Sequence, residues 1–292
     1  MLSRIKHFFT PHHGPRIAII QMHGQISTKK THINIDNHGP LIEKAFSFVK
    51  ARGKRPAGYV ILDIDSPGGS PVQSALNADL IVRKAREHNV RTCAVIGDVG
   101  ASGGYWIAAA ADKIYVNRMS LVGSIGIVGG GFGFPKLLAK HGIERRVYTA
   151  GERKSKLDPF REEDPKDLVF INNLLGETHE IFKQWIMSRR GDRITKEVDI
   201  FNGDIWGGEA AVKYGLADGL GDIRQLVAKL GGEDPTVKRL TTEKKGLLSR
   251  LIPQGLPGSA SISAASIGEA APAIAEAVLD VLEEKAAFRL KM

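Results

Sequence analysis

Apolar residues in this chain fall into short, nearly continuous runs separated by stretches of helical spacing, and that alternation predicts the fold class. Arg16 to Met22 (RIAIIQM), Tyr59 to Ile64 (YVILDI), Thr92 to Ile96 and Lys113 to Val116 have strand length, are rich in Ile and Val, and end at turn residues. Such unbroken runs suit strands covered on both faces. Between them, Leu41, Ala45, Phe46 and Val49 recur at helical spacing, as do Val72, Leu76 and Leu80, and a further helix is predicted through Trp106 to Ala111. Strands alternating with helices predict an α/β domain with a largely parallel sheet. Farther along, Ile143 to Thr149 reads as another strand. Leu168 to Met187 reads as a long helix with Leu168, Ile171, Leu174, Leu175, Phe182 and Ile186 on its apolar face. Ile205 to Gly221 predicts a short helix closed by Gly215, and Asp222 to Leu230 the last helix.

This pattern divides the chain into a tail (1–15), one folded domain (16–232) and an extension (233–292). In the tail, Leu2, Ile5, Phe8 and Phe9 with Arg4 and Lys6 suit a short interfacial helix, so residues 1–9 are a candidate for peripheral membrane contact. In the extension, Pro253, Pro257 and the Gly/Ser/Ala stretch from Gly255 to Ser266 read as a linker. Beyond it, Ile274, Val278, Val281 and Leu282 share one face of an amphipathic helix expected over 273–290. No apolar run reaches the roughly 20 residues of a membrane helix, and no long h-region precedes a small-residue cleavage site. The expectation is a cytoplasmic protein, peripheral to the inner membrane if residues 1–9 engage it.

Composition changes this picture little. The formal charge of +9 and pI near 9.6 come from Lys and Arg spread along the chain with few aromatics between them, which fits a solvated basic surface and no nucleic-acid partner. The single cysteine, Cys93, sits in an apolar run, so it forms no internal disulfide and reads as core.

Candidate chemistry gathers at two turns. Gly100-Ala101-Ser102-Gly103-Gly104 places a serine among small residues where a strand is predicted to become a helix, which exposes a hydroxyl and directs the following N–H groups toward it. Ser66-Pro67-Gly68-Gly69 follows the preceding strand, where paired glycines let backbone approach a ligand and offer donors for a developing oxyanion. Read singly, the same residues are a capping serine and an ordinary Pro-Gly turn. The glycine-rich stretch Gly123 to Gly133 is either a mobile linker or one wall of a substrate groove. A serine needs a base, yet none of the nine histidines lies in a glycine-rich or strand-end setting, and His141 and His179 qualify only formally.

Five segments carry a resemblance: VILDIDSPGGS (60–70), VGASGGYWIAAAAD (99–112), LVGSIGIV (121–128), TAGERKSKLDPF (149–160) and GGEAAVKYGLADGLG (207–221). Together, and in this order across residues 16–232, they resemble the signal peptide peptidase A family. The resemblance implies a ClpP/crotonase-like spiral of βαβ units as a single catalytic domain. It implies a serine endopeptidase acting through an acyl-enzyme on signal-peptide remnants or other unfolded apolar peptides, with no metal or nucleotide cofactor. By the same resemblance Ser102 is the nucleophile, Lys154 the general base, and Ser124 the group that holds the lysine amine, while Gly69 and Gly103 form the oxyanion hole. Lysine titrates near 10.4 in water, so Lys154 has to be desolvated, and Lys156 nearby is the competing base. Members commonly carry an N-terminal membrane anchor, which is not expected here, and many form rings. With one catalytic domain in the chain, a ring here implies a homo-oligomer. Two other readings remain: a crotonase-like acyl-CoA enzyme using the same paired amides on a thioester enolate, and a non-catalytic peptide-binding scaffold.

Overall fold

The computed structural model describes residues 14–53, 56–232 and 234–242. The helices expected over 1–9 and 273–290 lie outside these residues. The described chain falls into two compact units, the first running to Val128 and resuming at Phe170, the second Gly129–Val169.

In the first unit, β1 (Arg16–His23), β2 (Tyr59–Ser66) and β3 (Arg91–Ala101) run parallel in adjacent positions. β3 is longer than its neighbours and serves two partners. Cys93 to Ile96 pair with β4 (Lys113–Val116), and Val99 to Ala101 pair with β5 (Leu121–Gly123). At this fork the buried Ser120 hydroxyl accepts from Asn117 N–H at 2.9 Å and donates to the Gly97 carbonyl. Beyond β5 and β4 lie β6 (Ile205–Gly207), antiparallel to β5, and β7 (Gly219–Leu220), parallel to β4. This branching parallel sheet agrees with the expected spiral of βαβ units.

Alternation along β1 supplies both faces of the sheet. Ala18, Ile20 and Met22 join the larger cluster, which takes in residues of α1 (Ile35–Val49), α2 (Pro71–His88) and α3 (Gly103–Ala108). Ile17 and Ile19 point the other way, toward Leu226 of α7 (Ile223–Gly231), with Cys93 in the same cluster. Burial, then the nearby Asp112 and Asp218, push the Cys93 thiol up to about 11, so it is an inert core group. The helix starts obey local chemistry. Asn34 caps α1 through Asn37 N–H at 2.9 Å, and Asp222 caps α7 through Gln225 N–H at 2.9 Å. Gly215 follows α6 (Gly208–Lys213) at φ 81°, as its predicted closing role requires.

Three expectations need correction. On α2 the buried face is Ser74, Asn77, Ala78, Leu80 and Ile81, while Val72 and Leu76 are exposed. Gly103 packs so closely on Ser74 that a Cβ at position 103 would collide with the Ser74 hydroxyl. Second, the sheet does not end at residue 232. β8 (Thr236–Leu240) pairs in parallel with β1, and its Lys238 and Arg239 gave it the polar look of an extension. Third, residues 143–149 are irregular: among the described residues no strand pairs with them to complete a ladder, and Tyr148 is 90% exposed.

The long helix exists as α5 (Pro165–Arg190), but its buried residues are only Phe182, Ile186 and Arg190. The Arg190 guanidinium donates to Asp218 at 2.6 Å and to the Gly215 carbonyl at 2.7 and 3.1 Å. In the second unit, α4 (Pro135–Lys140) follows Phe134, whose ring sits 6.3 Å from Phe132 and 5.6 Å from Phe160. Among the described residues no helix is long and apolar enough to cross a membrane.

Candidate active site

Register brings the candidate turns to one edge. Ser66 of β2 lies opposite Gly100 of β3, Gly100 opposite Val122 of β5, and Ala101 opposite Gly123. The three strands are parallel, so the turns that follow them emerge side by side at their carboxyl ends, where open α/β sheets place ligands.

Ser102 stands at the first of these turns, between β3 and α3, with φ 51° and ψ −120°. A residue with a Cβ rarely adopts this geometry, which costs about 1 to 3 kcal/mol and persists only where surrounding structure imposes it. Here the Ser102 N–H donates to the Gly123 carbonyl at 2.8 Å and the Ser102 carbonyl accepts from Trp106 N–H at 2.9 Å, so the backbone is held from both sides. The side chain makes no capping hydrogen bond and is half-buried. Its hydroxyl is therefore not spent on α3, as a capping serine's would be.

The glycine turn after β2 packs directly on Ser102. A Cβ at Gly68 would lie 2.8 Å from both the Gly103 nitrogen and the Ser102 Cβ, and one at Gly104 would lie 2.6 Å from the Ser66 carbonyl oxygen. The two turns interlock because neither carries side chains where they meet. Gly68 and Ser70 tie this turn to Ile26: Ile26 N–H donates to Gly68 at 2.9 Å, and Ser70 N–H to Ile26 at 2.8 Å. Gly69 between them is exposed, and its N–H takes part in neither bond. The Gly103 N–H opens α3, where a helix has no internal acceptor for it.

Ser124 follows β5 as Ser102 follows β3, at φ 50°. Its N–H donates to the Asp204 carbonyl at 2.7 Å, and the carbonyl just before it, that of Gly123, receives the Ser102 N–H. Ser102, Ser124, Gly69 and Gly103 thus belong to one contiguous edge of the first unit. Lys154 belongs to the second unit, exposed on the turn after Gly151, with its N–H donating to the Gly151 carbonyl at 3.2 Å. Lys156, also of that unit, is half-buried. Of the formal histidine candidates, His179 bonds to the Ile125 carbonyl at 3.1 Å, and His141 lies exposed at the end of α4.

Sequence reasoning missed Ser74 and the Gly123 carbonyl. Ser74 had a faint signal as a small polar residue repeating inward with Asn77 and Ala78. The carbonyl had none, since its role follows from strand pairing.

A family model, "Peptidase family S49", matches residues 84–235, a span that includes Ser102, Ser124 and Lys154. This chain belongs to peptidase family S49, the signal peptide peptidase A family. Among S49 relatives, the Synechocystis sp. protein slr0021, which carries a protease name, is 32% identical over 71% of this chain and 75% of its own. The "Serine protease SPPA, chloroplastic" of Arabidopsis thaliana is 28% identical over 84% of this chain and 37% of its own. Two Brucella proteins named "Na(+)/H(+) antiporter NhaA" are 39% identical over 92% of this chain, which spans only 36% of their length. That name belongs to much longer polypeptides.

Proposed function

We propose that this S49 chain is a serine peptidase in which Ser102 attacks the substrate carbonyl and Lys154 takes the serine proton. The carrying observation is Ser102 itself: a serine held in strained geometry, uncommitted to its helix, on a turn interlocked with a second turn that offers unused N–H groups. Attack forms a tetrahedral oxyanion, which the amides of Gly69 and Gly103 stabilise; losing one such donor typically costs about 3 to 4 kcal/mol of barrier. Protonated Lys154 passes the proton to the leaving amine, freeing the first product and leaving an acyl-Ser102 ester. Water, deprotonated by the neutral amine, then hydrolyses the ester and regenerates both groups. Ser124, set beside Ser102 by strand register, orients the amine.

An amine in water keeps its proton to about pH 10.4. Lys154 is exposed, so the mechanism requires that substrate or a further subunit cover it. A homo-oligomer fits that need and the apolar residues exposed on α5, among them Leu174 and Ile181. The substrate class is unfolded or apolar peptide, including signal-peptide remnants, with peripheral membrane contact through residues 1–9.

Hydrolysis of unfolded casein and short apolar fluorogenic peptides tests the assignment. Ser102→Ala and Lys154→Ala are expected to lose turnover by at least a thousandfold while Lys156→Ala retains it. Activity should rise with pH as the base deprotonates. Full activity in Lys154→Ala, or a profile flat from about pH 5 to 10, removes the lysine from the mechanism.

A further inference from the structure

The second unit holds a cavity of about 400 Å³ that the proposed chemistry does not use. Its apolar wall is one side of α4 with Ile143, Val147 and Phe160, and Arg145 and Arg161 stand at the same cavity. The arginines are differently engaged. Arg145 is oriented on two sides: its Nε donates to Asp158 at 2.9 Å, and its guanidinium carbon lies 4.9 Å from the Phe160 ring centroid. Arg161 donates to the neutral Ser155 hydroxyl at 3.2 Å and has no ion pair among the described residues.

Beside this cavity stands the Asp158 carboxylate, paired to Arg145. The Asp158 side chain is 5% exposed. Burial alone would raise its carboxyl, but the Phe160 N–H and the neighbouring Arg145 and Arg161 hold it below the usual carboxylate range. The cavity is thus lined by two guanidinium groups and no carboxylate, with Asp158 paired to Arg145 and no ion pair to Arg161 among the described residues. A planar guanidinium already fixed by one carboxylate keeps further N–H donors for a second, and such charge-assisted bonds are the strong ones. Apolar walls with a few convergent polar groups are the ordinary make-up of a ligand site.

We propose that this cavity binds the free C-terminal end of a peptide whose last side chain is large and apolar. The terminal carboxylate pairs with Arg161 and the remaining donors of Arg145, and the side chain lies against Ile143, Val147 and Phe160. The assignment rests on the peptidase reading in one respect, that such ends are products of peptide hydrolysis. Binding itself requires no turnover.

Isothermal titration of the full-length Ser102→Ala protein with acetyl-Ala-Ala-Ala-Phe, and with the same peptide as its C-terminal amide, tests this. The acid is expected to bind about tenfold or more tightly than the amide. Arg161→Gln and Arg145→Gln, each added to that background, should erase this preference, and Ala139→Trp, which fills the cavity, should weaken both peptides. Arg145→Gln deprives Asp158 of its partner, so its melting is checked, and if it unfolds Arg161→Gln decides. Equal binding of acid and amide overturns the proposal. So does an acid preference that survives both Arg161→Gln and Ala139→Trp, or decanoate binding as tightly as the peptide. The two readings fail separately. Casein hydrolysis without acid preference removes the cavity assignment alone, whereas acid-selective binding by a wild-type protein that cleaves nothing removes only the peptidase.

Discussion

Ser102 holds a backbone geometry that its own side chain resists, and this predicts an inverted order of stability among its variants. Glycine ordinarily lowers stability relative to alanine by roughly 0.5 to 1 kcal/mol through unfolded-state entropy. At φ 51° the strain relieved by glycine is of order 1 to 3 kcal/mol and outweighs that entropy. Ser102→Gly is therefore expected to melt about 2 to 4 °C above Ser102→Ala, although both lack the Ser102 hydroxyl. The reverse order would mean that the turn is relaxed. Around this residue the sequence was legible in part. Small neighbours marked Ser102 because a strand-to-helix turn has no room for larger ones. Nothing local marked Ser124 as its neighbour, since their proximity depends on Ala101 pairing with Gly123. Lys154 was reached through the resemblance, and an exposed lysine between Arg153 and Ser155 carries no signal of its own.

Among the elements, α5 is joined to the sheet region through a buried charge. The Arg190 side chain is fully buried, and Asp218 receives its guanidinium together with Ile114 N–H and the Lys113 amine. Burial alone would raise the Asp218 carboxyl, but these partners outweigh it and hold it below the usual carboxylate range. Such a depressed carboxyl contributes stability that is fully present above about pH 4 and is lost as pH falls through the folded value. Melting curves from pH 7 to pH 3 should show this loss in the wild type, and a smaller one in Asp218→Asn. Arg190→Ala, which strands the carboxylate, is expected to cost about 3 to 5 kcal/mol in chemical denaturation. This arginine was invisible in the helical pattern because charged residues are assigned to solvent by default. The same default hid β8, where Lys238 lies on the more buried face with Thr236 and Leu240 while Arg239 is exposed. Continuous apolar runs such as YVILDI were the opposite case, since only a strand covered on both faces buries them all. Ile143 to Thr149 shows the limit of that rule: strand-like composition does not make a strand by itself, and among the described residues no edge pairs with this segment.

For the whole molecule, the surface of α5 is the candidate contact for the proposed homo-oligomer. Leu174 and Ile181 are separated by two helical turns, so they share one side of the helix, and they are 36% and 59% exposed. If the chain works as a homo-oligomer, Leu174→Lys with Ile181→Lys should lower the mass seen by sedimentation without lowering the melting temperature. An unchanged mass would place the contacts elsewhere.

The double pairing of β3 has a consequence for how motion is distributed. A strand with one neighbour on each side can fray at its end, but the strand leading to Ser102 changes partner midway, so opening either half disturbs β2 and one of two further strands. Its amides should then exchange hydrogen only when the entire first unit opens, with protection equal to the global unfolding free energy. Faster exchange at Val99 to Ala101 than at Val95 would contradict this. The proposed nucleophile so placed cannot lose its setting in small steps: heating should release the turn at Ser102 only as the first unit itself unfolds, leaving no temperature range in which that edge has softened while the sheet behind it stays intact.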